Sequence, residues 1–158
     1  MINFNLGFFK KDKLLSFSLI IVVVQIFIAL FAPYLGFQDP YKIVVLDRLK
    51  NPNFMNFFGT DHLGRDVLAR VVYGYRTSLI TSSLAVIISL IFGGTIGLLA
   101  AYYKGLFDRI IMRFMDVLFA FPILLLAIGI IAVIGPSIWG ASIAIAIVYT
   151  PIFSRLIR

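Results

Sequence analysis

The chain has 158 residues, of which 61% are hydrophobic and only 13% charged, with a mean hydropathy of +1.05, and this excludes an ordinary soluble domain of its size. The net charge of +7 comes from basic residues that flank apolar runs instead of forming a patch interleaved with aromatics, which argues against nucleic acid as a partner. There is no cysteine and His62 is the single histidine, so disulfides, thiolate chemistry and a histidine-built metal site are removed together.

The length accommodates one domain with about four membrane spans, and the expected fold class is all-α, a polytopic transmembrane helical protein in a lipid bilayer. Residues 1–13 end in Lys10, Lys11 and Lys13 and are expected on the cytoplasmic side. Residues 14–35 form an uncharged run long enough to cross a bilayer. A cleavable signal peptide would have a shorter apolar region, and Pro33 sits badly where a small-residue cleavage site would end, so a retained first span is expected.

Residues 36–78 are the one long polar interval, punctuated by Asp39-Pro40, Asn51-Pro52-Asn53 and Phe57 to Gly59. Its basic residues are diluted and partly balanced by Asp39, Asp47, Asp61 and Asp66, which places it outside. Gly59 and Thr60 read as a turn and Asp61 as the cap of a helix that starts there. In that helix Leu63, Val67, Leu68, Val71, Val72 and Tyr75 share one side, while His62, Arg65, Asp66, Arg70, Tyr73 and Arg76 share the other. Asp66 stands four residues before Arg70, a spacing that lets them pair. The segment reads equally as an amphipathic helix lying in the membrane interface before span 2 or as an ordinary surface helix.

Residues 79–103 carry no charge and place Ala85, Ser89, Gly93, Gly97 and Ala101 at four-residue steps, a small-residue stripe suited to close helix packing. Packing within the chain is the simpler reading; a surface for a partner or a pathway is the other. The next segment is a cytoplasmic turn containing Asp108, Arg109, Arg113 and Asp116, with Gly105 as breaker and Asp108 as a possible cap. Asp116 is one turn beyond Arg113, and a local ion pair is expected in preference to a proton site because no second acid follows. Span 3 is expected at 114–134, kinked at Phe121-Pro122. Phe119, Phe121 and Pro122 are either near a translocation path or simply aromatic packing. Gly135-Pro136-Ser137 reads as an outer turn, and residues 138–154 as span 4, with Trp139 at the interface and Pro151 bending or ending the helix.

The stretch FFGTDHLGRDVLARVVYGYRTSL at residues 57–79 resembles the signature of inner-membrane permeases of bacterial peptide-type ABC importers. Within the dipeptide, oligopeptide and nickel group it resembles the C-type subunit. The motif-loop residues are Gly59, Thr60, Asp61, Leu63, Gly64, Arg65, Asp66 and Arg70. Two further stretches, AYYKGLFDRIIMRFMDVLFAFPILLLAIG and YTPIFSRLIR, resemble the same family.

The resemblance implies an ATP-driven importer for peptides or related small solutes, with nickel as another substrate of the group. It also implies a second permease, two ATP-binding subunits and an extracytoplasmic solute-binding protein as partners. Arg65 and Asp66 would then either contact the binding protein or pair with each other. Family members continue into an ATPase-docking loop and two more spans, so the sequence resembles the first four spans of six and is expected to be a fragment.

No enzymatic activity is expected. There is no phosphate-binding GxxxxGK[ST] loop, and the intramembrane Ser82, Ser83, Ser89 and Ser142 have no His or Lys within the spans to activate them. Neither a cofactor nor a metal is implied. A stand-alone membrane protein or secondary transporter without an ATPase is the alternative.

Overall fold

The structure is a computed structural model that describes residues 13–158, so the expected cytoplasmic segment lies, apart from Lys13, outside the described residues. Among those residues the secondary structure is helical, and the sole strand-like feature is an isolated antiparallel bridge between Thr60 and Asp66. The elements are α1 (Lys13–Phe31), α2 (Val67–Tyr103), α3 (Gly105–Ala120), α4 (Ile123–Ile134) and α5 (Ile138–Ile157), with short 3₁₀ turns at Ala32–Tyr34 and Val45–Asp47. α1, α2 and α5 are long and apolar enough to cross a membrane, and α3 with α4 makes a fourth candidate bent by 94°. Large apolar side chains such as Phe27, Ile91, Leu124 and Val133 are exposed, as lipid-facing positions require.

The chain divides into two compact units, the first ending at Leu79 and the second beginning at Ile80. In the first unit, α1 and the opening turns of α2 flank a small cleft lined by Gln25, Ile28, Leu68, Val71, Val72 and Tyr75. The apolar side foreseen for the 57–79 segment therefore packs toward α1. Among the described residues no separate interfacial helix precedes α2, and the expected start at Asp61 is corrected: α2 begins at Val67 and runs unbroken for 37 residues. The reason lies in Gly64, whose φ of +76° is incompatible with an α-helix, so the chain cannot become helical until it has passed.

The second unit is built around α5. Buried residues on that helix are Gly140, Ser142, Ala144, Ala146, Val148, Pro151 and Ser154, which fall on opposite sides of it. A helix buried on two sides must carry small residues where backbones approach. Ser137 caps its first turn by accepting from the Gly140 N–H at 2.9 Å. Pro151 neither ends the helix nor marks its last turn, since α5 continues to Ile157. In spanning helices such a proline is tolerated where neighbouring helices and local adjustment re-satisfy the backbone group it frees.

α2 and α5 pack in parallel. Ser142 Oγ lies 3.3 Å from the Thr81 carbonyl, and further along both helices Gly97 approaches Ser154. Parallel neighbours require the intervening chain to return over the same length, and α3 with α4 supplies that return. The expected single helix over 114–134 is corrected to this pair. Pro122 lacks an N–H and holds Phe121 extended (φ −74°, ψ 141°), so α3 stops at Ala120 and a new helix starts after the proline.

Candidate functional site

Asp61 is the hub of the polar loop. Its carboxylate accepts from the N–H groups of Leu63 (2.8 Å) and Arg65 (3.0 Å), from Arg65 Nε (2.9 Å) and from Arg70 Nη1 (2.5 Å). Around it the backbone is cross-tied: Leu49 N–H donates to the Asp61 carbonyl, Thr60 N–H to that of Lys50, Asp61 N–H to that of Arg65, and Val67 N–H to that of Gly59. Thr60 Oγ1 accepts from Lys50 N–H at 2.9 Å and donates to the Asp47 carbonyl. Gly59 and Gly64 have φ of +71° and +76°, and each faces a backbone carbonyl where a Cβ would stand.

Burial alone would raise the Asp61 pKa. The Arg65 and Leu63 N–H groups, with the Arg65 side chain and its charge, outweigh that and hold the carboxyl well below the usual carboxylate range. A depressed folded pKa adds stability above the ordinary value near 4, and that stability is lost as pH falls toward the folded value. Amide protection at Leu63 and Arg65 is therefore expected to hold constant from neutral pH down to about 4 and to decline only below it. Hydrogen exchange across that range is the measurement, and a decline beginning near pH 6 would contradict it.

Asp66 serves a different purpose from the one its spacing suggests. It is buried, and its Oδ2 accepts from the Ala69 N–H at 2.7 Å, making it the cap of α2, while Oδ1 has no protein partner. Arg70 turns to Asp61 instead. The expected Asp66–Arg70 pair, and the Arg65–Asp66 alternative, are thus corrected: capping geometry aims the Asp66 carboxylate at the helix end, and Arg65 already pairs with Asp61 at 2.8 Å. Asp66→Ala is expected to cost about 1 kcal/mol and Arg70→Ala less than that, with no coupling between them in a double-mutant cycle on thermal unfolding.

The small-residue stripe of α2 meets α5. Ala85 and Ser89 are buried; a Cβ on Gly93 would stand 2.6 Å from the Thr150 carbonyl, and one on Gly97 2.5 Å from that of Ser154. Ala101 is only half-buried, and the last rung is Ala100, which is fully buried. With 3.6 residues per turn, four-residue steps drift around the helix and must be reset by one three-residue step.

At the far end of these helices, α3 is tied to α5. Arg155 pairs with Asp116 and lies 4.9 Å from the centre of the Phe119 ring; Arg158 Nη2 pairs with Asp108 at 2.5 Å. The expected Asp116–Arg113 pair is replaced by this interhelical one, and Asp108 is an ion-pair partner in the first turn of α3, whose cap is Lys104. Arg155 and Asp116 are each about half exposed, 43% and 50%, so Asp116→Asn is expected to lower stability by less than about 1 kcal/mol in a thermal melt. Phe121 and Pro122 line an open hollow on α4, whereas a groove of about 570 Å³ among α2, α3 and α5 is lined by Phe92, Phe114, Leu118 and Trp139. None of Phe119, Phe121 and Pro122 borders that groove. Among the described residues no cluster of three His, Asp or Glu side chains is placed to hold a metal.

Residues 93–158 match the family described as the inner membrane component of binding-protein-dependent transport systems. A dipeptide transport system permease protein from Alkalihalophilus pseudofirmus is 48% identical over 149 residues, 94% of this chain and 49% of the relative. Over these stretches the chain is similar to inner-membrane permease components of binding-protein-dependent transport systems. Glutathione transport system permease proteins from Pectobacterium atrosepticum and Escherichia coli are 44% and 42% identical, covering 87% and 95% of this chain. They are matched over 46% and 50% of their own length, so the chain spans about half the length of the curated relatives it matches.

The family match takes in Gly93, Gly97, the broken α3–α4 pair and all of α5. An alignment over 149 of 158 residues necessarily includes most of the Asp61 loop too. Sequence reading missed Arg155, Arg158, Thr150 and Ser154 as the counterparts of residues it did single out. Only their helical spacing, 150, 154 and 158 on one side, pointed to a shared face.

Proposed function

We propose that the chain is a permease subunit of an ATP-driven importer for short peptides or related small solutes, contributing helices to the translocation path. The observation that carries this is the 48% identity, over 94% of the chain, to a permease named for dipeptide transport. The names of the glutathione permeases support the same solute class, since glutathione is itself a small peptide. In such an assembly the chain would pair with a second permease, two ATP-binding subunits and an extracytoplasmic solute-binding protein. It would perform no chemistry, and ATP would be hydrolysed on its partners.

The proposed orientation puts the N-terminus in the cytoplasm and the Asp61 loop outside, with Lys104, Arg109, Arg113, Arg155 and Arg158 at the cytoplasmic ends of α2, α3 and α5. Parallel packing of α2 and α5 puts Lys104, Arg155 and Arg158 at the same end, which the positive-inside tendency then assigns to the cytoplasm. The absence of native cysteine makes the orientation directly measurable. A single cysteine at His62 is expected to react with an impermeant maleimide from outside intact cells, and one at Tyr102 only after permeabilisation.

Uptake of a labelled dipeptide into cells carrying the complete operon is the functional test. Loss on deleting either this gene or the ATP-binding subunits supports the proposal. Uptake that survives removal of the ATP-binding subunits would indicate a stand-alone transporter, and loss confined to labelled nickel would reassign the solute.

A further inference from the structure

Two arginines on α3 are left over from the ion-pair scheme that ties this helix to α5. Asp108 is taken by Arg158 and Asp116 by Arg155, both from α5, so Arg109 and Arg113 take part in none of the ion pairs among the described residues. They lie four residues apart on one helix side, both exposed, and line a hollow of about 510 Å³ with Ile110, Met112, Asp116 and Arg158. Five basic side chains, Lys104, Arg109, Arg113, Arg155 and Arg158, face only two acids at this end of the second unit, leaving an excess of three positive charges.

The level of this cluster is marked independently. Tyr102 and Tyr103, 79% and 63% exposed at the end of α2, have the amphipathic rings that collect at the headgroup layer. Phe107, Ile110 and Phe114 are exposed on the same helix as the two arginines, so apolar surface adjoins the charged hollow. Guanidinium forks match phosphate oxygens in paired hydrogen bonds, and a phosphate between two such forks would neutralise charge that no acid among the described residues meets. Basic pockets beside spanning helices are where anionic headgroups settle.

We propose that Arg109 and Arg113 form a binding site for the phosphate of an anionic phospholipid headgroup, with the acyl chains lying along the neighbouring apolar surface of α3. The site rests on the membrane-spanning reading of the second unit and is independent of the transported solute. Asp116 borders the hollow without opposing the ligand, because its charge is matched by Arg155.

The test is native mass spectrometry of the full chain purified in detergent and offered phosphatidylglycerol or phosphatidylcholine. Phosphatidylglycerol is expected to be retained preferentially. Its affinity is expected to fall about fivefold in Arg109→Gln or Arg113→Gln and about thirtyfold in the double variant, with Arg48→Gln unchanged. The single variants alter exposed, unpaired side chains, so they report even if the double variant does not fold. Equal retention of both lipids, or undiminished phosphatidylglycerol binding in the single variants, overturns the site. Displacement of the lipid by millimolar inorganic phosphate overturns the lipid as its occupant.

Discussion

Gly64→Ala is expected to dismantle the Asp61 loop and to lower stability by about 3 kcal/mol or more. Two costs combine at this position. The first is backbone: φ of +76° strains any residue with a Cβ by about 1 kcal/mol or more. The second is contact: the new Cβ would drive into the Val44 carbonyl, which is main chain and cannot rotate away. Gly36 separates the two, since it has φ of +70° with nothing within 4 Å of its Cβ position, and Gly36→Ala should cost only the backbone part. The readout is hydrogen exchange at the Leu49, Thr60 and Asp61 amides, whose donors tie the loop together. Protection surviving in Gly64→Ala at the level of Gly36→Ala would mean that the loop does not depend on this close approach.

What could be read from the sequence divides along physical lines. Apolar helices, small residues at close approach and the proline break are consequences of composition and local covalent constraint: Gly93 and Gly97 approach α5, and the break between α3 and α4 falls at Pro122. Partner choice among charges is different. Asp66 and Arg70 satisfy the helical spacing rule, yet Asp66 caps the helix and Arg70 reaches back nine residues to Asp61. Asp116 likewise has Arg113 within reach and pairs with Arg155, 39 residues away. Spacing states which pairs are possible on one helix, but it carries no information about a competitor brought in by the fold. Gly64 was visible as a motif residue; that it halts helix formation until Val67 depends on its φ, which spacing cannot supply.

The second large effect is expected where α2 crosses α5. In an open helix position Gly→Ala stabilises by up to about 1 kcal/mol, and Gly74→Ala and Gly129→Ala, with nothing within 4 Å of their Cβ positions, should do so. Gly93→Ala and Gly97→Ala should reverse the sign and destabilise by about 2 kcal/mol or more each, because the added carbon meets the Thr150 carbonyl at 2.6 Å and the Ser154 carbonyl at 2.5 Å. Carbonyls within a helix cannot swing aside, so the whole of α5 must move outward, and in lipid no hydrophobic term compensates for the lost van der Waals contact. Since either substitution forces the same separation, the double variant should fall short of the sum. Thermal unfolding in detergent gives all five values. If Gly97→Ala were as well tolerated as Gly129→Ala, the stripe would not be an intrachain surface, and a partner helix would become its natural occupant.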